Sequence, residues 1–394
     1  MSVHFRDSVS TVPRSGIREI MELATSVPGC IHLEVGEPDF PTPEHIVAAA
    51  TTAAREGYTR YTPSRGYLSL REKLTEKLER VNGLAVDPED VIVTTGAVTA
   101  LFEAVLATIG PGDAALVPDP GWPNIEAMVR LVGGRPIRYP LEPSLGYEPD
   151  IDIVRKLAKH HRPRAIYINS PANPTGTVFS LQTIRAICSI ALETGAAIIA
   201  DECYEAITFD ARHVSAASLL PHQTFTAFSF SKTYAMTGWR VGYLVTPPGL
   251  GESMTKLQEP IISCATSIAQ KAAEAALAGP QDCVAGMVRS YRQRRDRIVE
   301  LFRGTDLLLT EPRGAFYAMV DIASSGTDAR TFVHRLVRQH GVAVAPGCTF
   351  GPSSTRAVRI SLASDVASIE EGVRRLRAAI ASPESGMVST VSRR

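Results

Sequence analysis

The feature that most constrains the fold is an alternation, from Asp90 onward, of short β-branched runs with longer segments of helical periodicity. The predicted strands are Val91–Thr94, Ala114–Val117, Ile137–Tyr139, Ala165–Ile168, Ala197–Ala200, Phe225–Phe230 and Val241–Val245. The predicted helices between them are Val98–Ile109, Ile151–His160 and Leu181–Thr194. Strands separated by helices favour an α/β fold, with a mostly parallel sheet covered on both faces. In such sheets, ligands bind at the carboxyl ends of the strands.

The C-terminal third follows a different pattern. A long, highly charged helix is predicted from about Arg289 to Phe302, and the segments after it indicate a smaller α+β unit. Near the N-terminus, Gly16–Ala24 has helical spacing, but periodicity does not show which part of the chain it packs on. Residues 382–394 lack any periodicity and are predicted to form a flexible tail.

Composition argues against several classes of protein. The 394 residues carry 41 Lys and Arg against 41 Asp and Glu, so the chain lacks the net positive charge typical of proteins that bind nucleic acid or anionic membranes. No run of 18 apolar residues is present, and the six cysteines are scattered singly without a C-x-x-C pair. We therefore expect a cytoplasmic protein with reduced thiols, no metal site and no secretion signal.

One glycine-rich segment matches a dinucleotide-binding fingerprint but has the wrong context. Gly110, Gly112 and Ala115 fit the pattern G-x-G-x-x-A, which needs a strand before the glycines and a helix after them. Here a predicted helix precedes the glycines, a predicted strand follows them, and Pro111 lies between them. The segment is interpreted as a helix-to-strand turn, which weakens the case for a nicotinamide dehydrogenase.

Lys232 follows a predicted strand, with Ser229 and Ser231 just before it and Arg240 eight residues after it. A lysine considered alone would be solvated. Hydroxyl and guanidinium groups around it are suited to holding a phosphate, however. A lysine beside a phosphate in a cleft, with a lowered pKa, can form a Schiff base with a carbonyl cofactor.

Polar side chains that could bind a ligand follow two other predicted strands. Asp201 comes at the end of an apolar strand, where an acid considered alone most often caps a helix but can also pair with a protonated pyridine nitrogen. Asn173 lies in the predicted turn Asn169–Gly176, and its amide can donate a hydrogen bond to a ligand.

Two further loops are candidate parts of the same site. Thr94–Ala100 joins a predicted strand to a helix through Gly96, and the free N–H groups at a helix N-terminus bind anions. Trp122 lies in a loop after another predicted strand, where it would serve either as a packing anchor or as a platform for a ring.

Taken together, these motifs resemble one family. N-P-T-G, A-D-E-x-Y and S-x-S-K-x-x-x-M-x-G-W-R-x-G, in this order, are similar to the motifs of class I and II, fold-type I, pyridoxal-phosphate-dependent aminotransferases, and the similarity extends from Gly16 to Ala363. It implies a large domain with a mostly parallel sheet, residues 44–286, and a small α+β domain of residues 1–43 and 287–381. It also implies ping-pong transfer of an amino group from an L-amino acid to a 2-oxo acid, with pyridoxal 5′-phosphate as cofactor.

The resemblance assigns roles to the residues around the cofactor. Lys232 corresponds to the Schiff-base lysine that also acts as general acid-base, and Asp201 to the partner of the pyridine nitrogen. Tyr204 and Asn173 correspond to the donors to the phenolic oxygen, and Trp122 to the aromatic that stacks on the ring. The residues that match the phosphate site are Ala97, Val98, Ser229, Ser231 and Arg240.

The resemblance also implies which residues bind the substrate and which residue a second subunit contributes to the site. Arg359 matches the arginine that grips the substrate α-carboxylate, and Gly36 the glycine beside it. Tyr61 resembles the tyrosine that reaches the phosphate in the neighbouring subunit, which implies a homodimer with shared active sites. Val98 stands where several aspartate-acting relatives carry a basic residue, so we expect neutral or apolar amino donors to be preferred over aspartate.

Three alternatives to a transaminase stay open at this stage. The cofactor-binding residues do not select the bond that breaks, so a lyase catalysing C–S β-elimination or decarboxylation would use the same site. A non-enzymatic regulator on this fold would need a DNA-binding arm, which the neutral chain is not expected to carry. A nicotinamide dehydrogenase would need a different role for the glycine-rich turn.

Overall fold

The structure is a computed structural model that describes residues 7–10 and 12–382. Its strands are β1 Ile31–His32, β2 Val91–Thr94, β3 Ala114–Asp119, β4 Arg135–Pro140, β5 Ala165–Asn169, β6 Ala197–Asp201, β7 Thr224–Ser229, β8 Gly242–Val245, β9 Tyr317–Asp321, β10 Val342–Ala343, β11 Ala345–Pro346 and β12 Ala357–Ser361. The tail predicted at 382–394 lies, except for Ser382, outside the described residues.

The helices lie mostly between these strands. They are α1 Asp7–Ser10, α2 Gly16–Thr25, α3 Glu44–Arg55, α4 Leu68–Lys77, α5 Ala97–Thr108, α6 Pro123–Leu131, α7 Ile151–His161, α8 Leu181–Thr194, α9 Phe230–Thr233, α10 Gly251–Ile262, α11 Ser267–Ala278, α12 Asp282–Phe302, α13 Ala329–His340 and α14 Val366–Ala381. In the described part of the chain no helix is long and apolar enough to cross a membrane.

A seven-stranded sheet in the order β2-β8-β7-β6-β5-β3-β4 forms the centre of the fold. Strands β3 to β7 pair in parallel, whereas β8 runs antiparallel to both β2 and β7. Ser229 at the end of β7 pairs with Gly242 at the start of β8. The prediction of a mostly parallel α/β sheet is confirmed.

Both faces of this sheet are buried, as the continuous apolar runs predict. In β6, Ile199 packs in a cluster with residues of α5, while Ile198 and Ala200 pack on the other face with residues of α7 and α8. Gly110 and Gly112 lie between α5 and β3, which confirms the helix-to-strand turn.

Local capping explains why some predicted boundaries are accurate. Helix α8 begins after Ser180, whose hydroxyl accepts a hydrogen bond from Thr183 N at 3.1 Å, and it ends at Gly195 with a φ of 71°. These are standard start and stop signals, and the prediction Leu181–Thr194 is confirmed.

The predicted start of α12 is wrong. The helix begins at Asp282, well before the predicted Arg289. The prediction relied on the charged residues of the later turns, and the segment from Cys283 to Val288 carries no charge.

A second, three-stranded antiparallel sheet has the order β11-β12-β9, and β1 pairs with β10. One hydrophobic cluster combines Ile20 of α2 with Val333 of α13 and Val373 of α14. The N-terminal helix therefore packs on the C-terminal third. This shared cluster supports the proposal that residues 1–43 and 287–381 form one small domain beside a large domain of residues 44–286.

Candidate active site

A cavity of about 280 Å³ opens where the carboxyl ends of β5, β6 and β7 face the three-stranded sheet. Its lining includes twelve of the thirteen residues predicted for the site: Gly36, Ala97, Val98, Trp122, Asn173, Asp201, Tyr204, Ser229, Ser231, Lys232, Arg240 and Arg359. Tyr61 is the exception, because it lies between α3 and α4 with 91% of its surface exposed.

Lys232 lies in the short helix α9 directly after β7. The Ser229 hydroxyl accepts a hydrogen bond from Ser231 N at 3.1 Å, which ends the strand one residue before the predicted end at Phe230. The Lys232 Nζ donates to the backbone oxygen of Gly36 at 2.7 Å. Burial lowers the pKa of Lys232 to about 8, so roughly a tenth of the amine is neutral at pH 7, far more than for an exposed lysine.

Asp201 is the last residue of β6, and its side chain is buried. Its carboxylate accepts hydrogen bonds from Tyr167 Oη at 2.9 Å and from Cys203 N at 3.2 Å. A turn follows β6, so the interpretation of Asp201 as a helix cap is not supported. Burial raises the pKa of Asp201, while these two hydrogen bonds oppose the shift.

The N-terminus of α5 faces the cavity. Gly96 precedes the helix with a φ of 81°, and no side chain caps the first turn. A Cβ at this position would lie 2.5 Å from Arg240 Nη2, so only glycine allows the guanidinium to approach the helix end this closely. Arg240 is held by Thr237 O at 2.9 Å and Thr95 O at 3.4 Å. A guanidinium beside free N–H groups forms a site for an anion.

Arg359 is a buried cation on β12, with 1% of its surface exposed. Its Nη1 donates to Asn173 Oδ1 at 2.9 Å, and its Nη2 donates to Glu34 O. The Glu34 carboxylate is engaged by His32, 2.8 Å away, and no carboxylate of the described residues forms an ion pair with Arg359. Burial lowers the pKa of Arg359. A buried guanidinium with an unpartnered Nε is suited to receive a carboxylate from a ligand.

The predicted set omits several residues that the structure brings to the cavity. Tyr204 Oη lies 2.8 Å from Tyr317 Oη, and Tyr317 lines the cavity together with Ile17 and Leu101. Tyr167, which holds Asp201, is also outside that set. Tyr317 and Ile17 belong to β9 and α2, which reach the site through tertiary packing. Tyr167 and Leu101 lie within β5 and α5, where none of the predicted motifs includes them.

The cavity thus holds a buried amine of lowered pKa, an anion site and a guanidinium without an ion-pair partner among the described residues, an arrangement suited to an enzyme that acts on small carboxylates. The sequence family "Aminotransferase class I and II" matches residues 28–376, and the chain belongs to this family. It is an aminotransferase.

Named relatives share this fold over nearly the whole chain. The aspartate/prephenate aminotransferase of Thermus thermophilus is 36% identical over 358 residues, 90% of this chain and 92% of that protein. The aromatic-amino-acid aminotransferase 2 of Thermococcus litoralis is 34% identical over 94% of this chain and 96% of its own length. The structure of alanine aminotransferase from Pyrococcus furiosus superposes with a TM-score of 0.89 at 30% identity, covering 96% of this chain and 99% of that one. These names favour amino transfer over the lyase alternative.

Proposed function

We propose that this aminotransferase binds pyridoxal 5′-phosphate in the cavity and moves an amino group from an L-amino acid to a 2-oxo acid. The observation that carries the proposal is the position of the Lys232 amine, buried between Asp201 and the anion site at α5. When bound, pyridoxal phosphate supplies an aldehyde for amines and a ring that accepts electrons.

The residues present fit each part of that cofactor. The free N–H groups at Ala97 and Val98, with Ser229, Ser231 and Arg240, form a cradle for a phosphate. Asp201 is a buried carboxylate suited to a protonated ring nitrogen, because such a cation would offset the burial that raises the pKa of the acid. Tyr204 and Asn173 supply hydrogen-bond donors for the phenolic oxygen, and Trp122 supplies an aromatic face.

Two residues act on the substrate. Arg359 binds its α-carboxylate, and Gly36 leaves the space beside Tyr317 that a Cβ would occupy. Binding at Arg359 brings the substrate Cα toward Lys232. With the cofactor bound, the neutral Lys232 Nζ would take the Cα proton as general base, and the resulting ammonium would give that proton back as general acid.

We infer that the donor side chain is uncharged. Ile17, Val98 and Leu101 give the cavity an apolar wall. The cations that line it in the described part of the chain are Lys232, Arg240 and Arg359, and each of them has a role toward the cofactor or the α-carboxylate. A second carboxylate would therefore be buried without a partner. Relatives named for aspartate and for alanine share this fold, so the cavity residues decide between these donor classes.

We also propose a homodimer with shared sites. Tyr61 is an exposed aromatic side chain that does not line the cavity of its own subunit, so it is suited to enter a neighbouring one. The cysteines are unpaired in the structure, which supports a reducing compartment such as the cytoplasm.

The Lys232→Ala variant tests the proposed function. We expect the purified enzyme to show a visible absorption band with pyridoxal phosphate and the variant to lose both that band and turnover with all donors. Lys256→Ala is the matched control, because Lys256 is an exposed helical lysine paired with Glu252. Near-normal turnover of Lys232→Ala would contradict the proposal.

A further inference from the structure

Tyr317 lies at the point where three parts of the candidate site meet. It is the first residue of β9, opposite Ser361 of β12, and 1% of its surface is exposed. A fully buried tyrosine usually has a hydrogen-bond partner for its hydroxyl, and the identity of that partner indicates what the residue does.

The hydroxyl of Tyr317 lies 2.8 Å from that of Tyr204. Each phenol carries one proton, so only one of the two donates across this contact. If Tyr204 donates its proton to a ligand in the cavity, its oxygen is free to accept the proton of Tyr317. This arrangement orients Tyr204 as a donor toward the ligand.

The ring of Tyr317 faces a charge. The Arg359 guanidinium carbon lies 4.3 Å from the centroid of the Tyr317 ring and 4.9 Å from that of Phe350. Aromatic faces stabilise a buried cation without neutralising it, whereas a carboxylate partner would compete with the substrate. Tyr317 therefore keeps Arg359 available for a carboxylate.

The same hydroxyl restricts the N-terminal segment. A Cβ on Gly36 would collide with Tyr317 Oη, and the carbonyl of Gly36 accepts the hydrogen bond from Lys232. Other titratable groups that act on Tyr317 are Cys203 and Asp201. Burial is the largest influence on Tyr317 and raises its pKa, so the phenol keeps its proton at neutral pH.

We propose that Tyr317 is a positioning residue for the transamination proposed above: its hydroxyl fixes Tyr204 as a donor to the cofactor, and its ring holds Arg359 for the substrate carboxylate. The two roles can be tested separately, because substitution by phenylalanine removes the hydroxyl and keeps the ring, whereas substitution by leucine removes both.

The experiment compares Tyr317→Phe and Tyr317→Leu with the unmodified enzyme, all loaded with pyridoxal phosphate. For Tyr317→Phe we expect kcat to fall about tenfold and KM for the amino donor to stay within about twofold. The pH midpoint of the visible absorption should move upward by roughly half a unit or more, because a weakened donor leaves more electron density on the cofactor. For Tyr317→Leu we expect KM for the donor to rise about tenfold in addition.

Tyr291→Phe is the matched control. Tyr291 is a buried tyrosine of the same hydrophobic cluster, but its hydroxyl has no hydrogen-bond partner among the described residues. Its loss should leave kcat, KM and the absorption midpoint unchanged. A shift as large as that of Tyr317→Phe would mean that any hydroxyl removed from this cluster disturbs the site, and would overturn the proposal.

A double variant tests whether Tyr317 acts through Tyr204. If it does, Tyr204→Phe combined with Tyr317→Phe should be no slower than Tyr204→Phe alone. Fully additive losses, or an unshifted midpoint in Tyr317→Phe, would overturn the role of Tyr317 and leave the proposed function intact. An unmodified enzyme that takes up no pyridoxal phosphate would overturn both.

Discussion

Glu103 gives a prediction about stability that is independent of substrate. It lies in the middle of α5 with none of its surface exposed, and neither carboxyl oxygen has a hydrogen-bond partner in the part of the chain that the structure describes. Burial raises its pKa from 4.5 to about 8. The folded chain therefore carries a neutral Glu103 at pH values where the unfolded chain carries an ionised one.

The linkage between protonation and folding gives the sign and size of the change that Glu103 causes in the free energy of unfolding. Below pH 4.5 the carboxyl is protonated in both states and costs no stability. As pH rises from 4.5 to 8, only the unfolded state gains by ionisation, so the folded state loses about 1.4 kcal/mol per pH unit. The loss is about 3 kcal/mol at pH 7 and levels off above pH 8.

The perturbation is Glu103→Gln, which keeps the size of the side chain and removes its ionisation. In urea unfolding at pH 5, 6, 7 and 8, the free energy of unfolding of the variant should rise relative to that of the unmodified enzyme by about 1.4 kcal/mol per pH unit. The buried amide adds an offset that does not change with pH. Glu72→Gln, a change at an exposed helical carboxylate, is the control and should show no such trend. A difference between Glu103→Gln and the unmodified enzyme that does not change with pH would refute the reasoning.

Three further predictions concern the site. Asp201→Ala should keep bound pyridoxal phosphate but lose at least about tenfold in kcat, or about 1.4 kcal/mol, as measured by steady-state kinetics; a smaller loss would exclude its proposed role. Mixing Lys232→Ala chains with Tyr61→Phe chains should restore activity, because half of the sites in a hybrid dimer are then intact; an active monomer by light scattering would contradict this. The ratio of kcat/KM for leucine or phenylalanine to that for aspartate should exceed one and should fall in Val98→Lys, whereas aspartate as the best donor of the unmodified enzyme would show that another cation serves its side chain.

The sequence predicted most of the large sheet because its signals are local. Apolar runs such as Ala197–Ala200 and a capped helix such as Leu181–Thr194 depend on their own residues and immediate neighbours. The predicted start of α12 failed where local character is ambiguous, since Cys283–Val288 is apolar and lacks a charged face.

The candidate site likewise contains some residues that local sequence signals locate and others that only tertiary packing brings in. Asp201 ends a strand, and Lys232 and Asn173 lie shortly after strands, so strand prediction and the motifs together place them at one edge of the sheet. Tyr317 and Tyr167 could not be found in this way, because their partners lie 113 and 34 residues away in the chain and only packing brings them together. Tyr61 was identified through the family resemblance, and its contact with a partner subunit remains a proposal.

The antiparallel strand β8 has a consequence for cofactor affinity. Because Ser229 and Gly242 pair across β7 and β8, the segment 230–241, which carries both Lys232 and Arg240, is a loop whose two ends are closed by the sheet. The conformational entropy of that loop is lost when the chain folds, so little remains to be lost when a ligand arrives. The amides of Phe230, Tyr234, Met236 and Trp239 donate backbone hydrogen bonds within this segment, so these four should exchange slowly with solvent before pyridoxal phosphate is added.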